Sequence, residues 1–454
     1  MRKSGADLTS GNVSSQLISF AIPFLVANLL QSLYGIADMV IVGHYVGEAG
    51  ISALMVSTQI MNALSACFIG LSAGGTILIA QYVGANRREE IPAVMGTLFT
   101  VFSLFSIVVM VVLLTFSRSI LELLQTPPQA MEDAVVYLDF TLWGMFFITG
   151  YNLIASVFRG LGDSVRPMII IGIAAIVNIV FSLILVAGFN MGVRGAAIGT
   201  LISQFIAFVI AVVVLLRSDV SFAVRLDSFR IRKDKLRHLL NLGIPGGIQQ
   251  ILVQMSFLVV TSLINSYGME ASAVAGIGGK VNGLAILPTL AVMTAISAMC
   301  GQNIGAGLPD RAFKTMLSGV KLALPMSLVL FVLVNLFPEQ VIHLFSPEAS
   351  VAIGTPYLRL LTLEYITCVA LFCMNGLIQG AGYPRIVLFN TAVSAIVLRV
   401  PLAYLFAHGL NLGLQGVGLS IVLSPIGATV CALLFLRSGK WKVSRVVRQA
   451  LPEA

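Results

Sequence analysis

The sequence predicts an all-α integral membrane protein of twelve transmembrane helices, in two six-helix bundles related by a pseudo-two-fold axis along the membrane normal. Composition is the first reason. Hydrophobic residues make up 58% of the 454, charged residues only 10%, and the mean hydropathy is +0.98, far more apolar surface than one water-soluble core can hide. Charge placement is the second. With the N terminus set inside, 22 of the 27 Lys and Arg residues fall in loops of one side and only Arg118 and Arg194 on the other, the asymmetry that cytoplasmic loops acquire. An ordered internal repeat is the third.

The spans follow in order, each about the 20 apolar residues that a bilayer core requires. The first half reads as 15–42, 51–80, 92–116, 134–157, 168–189 and 195–216; the second reads as 240–265, 272–299, 315–337, 355–378, 386–408 and 414–436. Strand-type alternation is absent, which argues against a barrel. Ile22-Pro23 opens the first span as Ile244-Pro245 opens the seventh. QYVGA at 81–85 returns as QNIGA at 302–306, FRGLGD at 158–163 as IQGAGY at 378–383, and MGVRG at 191–195 as LGLQG at 412–416. Six spans per half is an even number, so both halves enter from the same side and the repeat is parallel. The halves are read as residues 1–217 and 239–454, the second ending in a basic cytoplasmic tail. The basic stretch 218–238 between them is read as a cytoplasmic linker on the inner membrane surface.

Ionisable side chains within spans are costly and therefore informative. On the first span Asn28, Gln31, Gly35 and Asp38 share one helical face, with Tyr34 beside them. A carboxylate on such a stripe can take up a proton or a small cation, unless it simply reaches the outer interface. In the second half Gln250 and Gln254 form a comparable face on the seventh span, and the repeat sets Val260 near the position of Asp38. The other ionisable residues within spans are Asp139 and Arg359, near outer ends and read as interfacial, and the deeper Lys280, Glu364 and Arg399. Lys280 and Glu364 lie at similar depth and can pair, and each of the three serves either structure or a cleft that receives cargo. Pro288, Pro401 and Pro425 interrupt helical stretches, as bends or as cavity linings.

Several classes of function are disfavoured. The net charge of +8 is explained by topology and by an anionic inner leaflet, with no nucleic-acid partner. The five cysteines are scattered through apolar spans as packing residues. His44, His238, His343 and His408 lie at span ends or in loops, and neither HExxH nor a phosphate-binding loop is present, which disfavours an enzyme. The N-terminal segment has no small-residue cleavage pattern, so the first span reads as retained. No cofactor is expected.

IPFLVANLLQSLYGIADMVIVGHYVG, AQYVGANRREE and FRGLGDSVRP, with IPGGIQQ, GQNIGAG and IQGAGYPR in the second half, together resemble the multidrug and toxic compound extrusion family over about residues 12–437. The resemblance implies a monomeric, multi-pass plasma-membrane antiporter with both termini cytoplasmic. It would export amphipathic organic compounds against inward flow of protons or sodium ions. In one prokaryotic branch the coupling site lies in the first half. Asp38 matches its first-helix aspartate, Asn178 in AAIVNIVFS its fifth-helix asparagine, and Thr200 in AAIGTLIS its sixth-helix threonine. Ser182 stands where some of those relatives carry a second aspartate, which favours a proton over sodium, although sodium at Asp38 stays open. The alternative is a flippase for lipid-linked sugars from the same wider superfamily; Asp38, Asn178 and Thr200 favour the antiporter.

Overall fold

A computed structural model describes residues 7–218, 230–345 and 350–444. Among the described residues it contains twelve helices long and apolar enough to cross a membrane and no strand. They are α1 (Val13–Tyr45), α2 (Glu48–Gly84), α3 (Arg88–Leu123), α4 (Pro128–Gly160), α5 (Val165–Gly188) and α6 (Gly192–Leu216). The second set is α7 (Lys233–Asn265), α8 (Met269–Gly305), α9 (Pro309–Leu336), α10 (Val351–Gly380), α11 (Pro384–Gly409) and α12 (Gly413–Arg437). Most of the stretch read as a linker, 219–229, lies outside the described residues. The end of that stretch is helical and forms the start of α7 from Lys233, where Leu236, Leu239 and Leu240 continue the helical spacing of the span behind them.

Each half repeats the same packing. α4 lies between α2 and α6, with α5 against α6; in the second half α10 lies between α8 and α12, with α11 against α12. The chain divides into two compact units, but not at the junction of the halves. Among the described residues one comprises Asp7, 26–218 and 230–244; the other comprises 8–25 with 245–345 and 350–444. The divisions at 25/26 and 244/245 fall beside the Ile-Pro pairs inside α1 and α7, where a proline within the helix (Pro23 or Pro245) removes a backbone hydrogen bond. Thus Leu17, Phe20 and Phe24 of α1 are buried in the second-half core with Val292, Ile296 and Met299.

Polar clamps hold both exchanged ends. Arg311 donates to the Ser10 oxygen at 2.6 Å, to the Gly11 oxygen at 2.8 Å and to Gln16 Oε1 at 2.9 Å. The Gln302 side chain accepts from the Leu8 N–H at 3.2 Å, and Asn303 donates to the Leu8 carbonyl at 3.3 Å. In the first unit Lys235, 4% exposed, donates to the Tyr82 hydroxyl at 2.9 Å and pairs with Glu90 at 2.8 Å. Alignment of QYVGANRREE with QNIGAGLPDR places Glu90 opposite Arg311 and Tyr82 opposite Asn303. One clamp therefore uses an anion to hold a side-chain cation, and the other a cation to hold carbonyls. Arg311→Ala removes several charge-assisted bonds of about 1.5–3 kcal/mol each. Hydrogen exchange of the amides at 8–17 is expected to accelerate at least about tenfold, while exchange in α4 stays unchanged.

Helix α11 explains an irregularity of the repeat. The offset between halves is 220 at FRGLGD and 221 at MGVRG, so one residue is inserted between them. It is absorbed in a π-helical turn, Val393–Arg399, followed by Pro401, since a π-bulge accommodates one extra residue without ending a helix. Beyond that turn the offset of 221 sets Arg399 opposite Asn178.

Candidate functional site

Asp38 lies in the C-terminal part of α1 and is 4% exposed, which removes the interfacial reading. Three neutral donors converge on its carboxylate. Ser182 Oγ donates to Oδ1 at 2.9 Å; Asn178 Nδ2 and Thr200 Oγ1 donate to Oδ2 at 3.3 Å and 3.2 Å. Asn178 Nδ2 also lies 3.1 Å from Thr200 Oγ1. Asn178, Ser182 and Thr200 are themselves at most 6% exposed, so four residues from three helices form one buried polar cluster.

Glycines make that convergence possible. Gly195 and Gly199 are four residues apart on α6 and form a small-residue strip against α5. A Cβ on Gly199 would stand 2.7 Å from Ser182 Oγ and 2.9 Å from the Ser182 nitrogen; one on Gly195 would stand 2.9 Å from the Leu185 carbonyl carbon. Backbone must approach backbone here for Ser182 and Thr200 to reach the same carboxylate. Gly199→Ala is expected to force α5 and α6 apart, at about 1–3 kcal/mol of overpacking. Its transport rate should fall, whereas Gly188→Ala, whose added Cβ meets nothing within 4 Å, should leave transport intact.

The Asp38 carboxylate is held by hydrogen bonds alone. Among the described residues no Lys, Arg or His forms an ion pair with it, and Asn178 Oδ1 is buried with no donor reaching it. A buried anion solvated only by neutral groups retains its attraction for a cation. Asn178 turns its amide nitrogen toward the carboxylate.

Tyr137, which the sequence reading missed, joins this cluster from α4. It is 5% exposed, and its hydroxyl is directed at Thr200 and Thr58. Its recurrence as Tyr357, 220 residues on and 3% exposed, was the available signal. Tyr34 is half-buried within electrostatic range of Asp38. Asn28 is also half-buried and Gln31 exposed, so the α1 stripe runs from an open surface to the buried carboxylate.

In the second half Glu364 does not pair with Lys280. Glu364 and Arg399, 4% and 7% exposed, form a buried ion pair at 3.4 Å. Asn282 Nδ2 donates to the second carboxylate oxygen at 2.9 Å, Arg399 Nε to Ser424 Oγ at 3.4 Å, and the guanidinium lies 4.9 Å over the Phe257 ring. The inserted residue in α11 turns Arg399 inward to this partner. Asn282, Ser424 and Phe257 carry no spacing signal of their own. Lys280 is exposed on α8 on a strip with Ala273, Gly276 and Gly283. Gln254, Thr261 and Asn265 are exposed on one face of α7, with Gln250 half-buried among them, while Ile251, Met255 and Leu258 are exposed on another. A helix exposing both a polar and an apolar face meets two different media.

Comparison with known proteins agrees with this organisation. The MatE family pattern matches residues 23–184 and again 245–405, one copy in each half. The probable multidrug resistance protein YpnP of Bacillus subtilis strain 168 is 30% identical over 443 residues, covering 97% of this chain and 98% of that protein. The probable multidrug resistance protein NorM of Thermotoga maritima is 26% identical, over 96% of this chain and 94% of its own. A solved structure, an outward-facing multidrug resistance MATE family transporter of the MOP superfamily, superposes with a TM-score of 0.91 at 25% identity, covering 97% of this chain and 99% of that one. Two copies of the pattern and likeness along nearly the full length leave one conclusion: the chain belongs to the MatE family of membrane transporters.

Proposed function

We propose that the chain is a secondary antiporter of the plasma membrane that exports amphipathic organic compounds in exchange for protons. The observation that carries the coupling is the Asp38 carboxylate, buried and solvated only by Ser182, Asn178 and Thr200. Protonation makes it a neutral acid and converts an acceptor into a donor. The Ser182 hydroxyl can rotate away, and the Asn178 and Thr200 contacts weaken. A proton from outside thereby changes how α1 is held against α5 and α6, and that differential interaction is what a coupling ion must supply. The loops rich in Lys and Arg face the cytoplasm.

The exposed polar groups Gln31, Gln254 and Lys280, with half-buried Asn28, Tyr34 and Gln250, would contact cargo. The named relatives are described as probable multidrug resistance proteins, which supports amphipathic substrates of varied structure.

The test is transport in proteoliposomes loaded with a fluorescent amphiphile such as ethidium. An imposed pH gradient is expected to drive flux and a sodium gradient of equal size to leave it at background. Flux driven by sodium alone would overturn proton coupling, and flux under neither would overturn antiport. Cysteine labelling in the loop after α2 tests the orientation: access from the inner side alone is expected.

A further inference from the structure

We propose that a groove between the start of α1 and α9 binds the phosphate of an anionic glycerophospholipid of the inner leaflet. The groove has a volume of about 280 Å³ and is lined by Asn12, Val13, Ser14, Lys314, Leu317, Ser318 and Lys321. That volume admits a phosphate group.

The lining has the chemistry of a headgroup site. Arg311, Lys314, Ser318 and Lys321 follow at i, i+3, i+7 and i+10 on one face of α9. Arg311 is spent on the carbonyls of Ser10 and Gly11, and this fixes the chain that forms the groove's other wall. Lys314 and Lys321 are exposed and, among the described residues, have no ion-pair partner. Ser14 Oγ and Ser318 Oγ, 3.1 Å apart, share a hydrogen bond across the floor, which leaves one hydroxyl proton to donate to a phosphate. Val13 and Leu317 supply an apolar flank for the glycerol and the start of an acyl chain.

Packing does not require these lysines. At an offset of 221 their counterparts on α3 are Ala93 and Thr100, and Ser318 answers to Thr97. Thr97 and Thr100 return their hydroxyls to their own helix, donating to Ala93 and Gly96 carbonyls at 2.8 Å and 2.9 Å. The second half therefore carries, beside the clamp that holds α1, two cations that the first half lacks at the matching positions. Their depth is set by the orientation proposed above, on which the inference rests. Basic pockets between spans on the cytoplasmic side are suited to anionic headgroups. A lipid seated there would touch both walls and strengthen the Arg311 clamp.

The test is native mass spectrometry of the full chain from detergent, titrated with dioleoylphosphatidylglycerol, dioleoylphosphatidylcholine or inorganic phosphate. Wild type is expected to prefer phosphatidylglycerol. K314Q/K321Q should lose roughly 30-fold in its affinity, from two cations worth about a factor of five each near an anionic headgroup, and K314R/K321R should keep it. Equal binding of the two lipids by wild type would overturn the proposal, as would unchanged affinity in the glutamine variant or an equal loss for phosphatidylcholine. Displacement of the lipid by millimolar inorganic phosphate would assign the groove to a soluble anion and overturn the lipid occupant. Binding in detergent does not depend on leaflet, so labelling of a Lys314→Cys variant from outside would sink the orientation while leaving the binding result as it stands.

Discussion

Asp38→Asn should reduce proton-driven efflux to the level of empty vesicles while leaving a folded protein. Asparagine matches aspartate in size; with its carbonyl oxygen in place of Oδ2 it still accepts from Asn178 and Thr200, and its amide nitrogen can donate to the Ser182 hydroxyl, which rotates to accept, so the cluster of four polar side chains keeps most of its contacts. Thermal unfolding should shift by no more than about 1 kcal/mol, the usual cost of a substitution that creates neither a cavity nor a stranded charge. What disappears is the titration. A residue that cannot change charge gives protons no differential hold on two conformations, and a gradient cannot then drive accumulation. Exchange of cargo down its own gradient, measured in the same vesicles, should persist. Gradient-driven uptake by Asp38→Asn at the wild-type level would remove Asp38 from the coupling mechanism.

Arg399→Met should be the most destabilising single change in the second half. It leaves Glu364 as a carboxylate 4% exposed, held only by Asn282 and deprived of its cation. Breaking a buried pair from one side costs about 3–5 kcal/mol. The double change Glu364→Gln with Arg399→Met removes both charges, keeps an acceptor for Asn282 and should recover most of that loss. Detergent melting curves of the two singles and the double provide the cycle. If Arg399→Met melts with wild type, the pair contributes nothing to folding. If the double recovers stability and still transports, the pair serves architecture rather than cargo.

Much of the fold was legible because a bilayer imposes simple rules. Segment length, loop charge and repeated landmarks each answer to the membrane rather than to neighbours in space, so twelve spans in two parallel sets could be read from residue order. The α1 stripe was equally legible, since Asn28, Gln31 and Asp38 share a face of one helix whatever packs beside it. Bringing Asn178, Ser182 and Thr200 to Asp38 drew on resemblance, because nothing in their spacing says how closely α5 approaches α6. Lys280 shows where depth alone misleads. Its position within its span suggested the depth of Glu364, but the two carboxylate oxygens are taken by Arg399 and Asn282.

By itself the sequence determined the helices, their parallel repetition and the carboxylate on the polar stripe of the first span, all properties that a chain carries one segment at a time. Only the tertiary structure decided that α1 and α7 exchange their first turns between units, that Arg399 is spent on Glu364, and that Lys314 and Lys321 meet no carboxylate among the described residues. These depend on which face of a helix meets which neighbour. A rotation of about 100° per residue makes that sensitive to one inserted position, such as the extra residue in α11 that turns Arg399 inward.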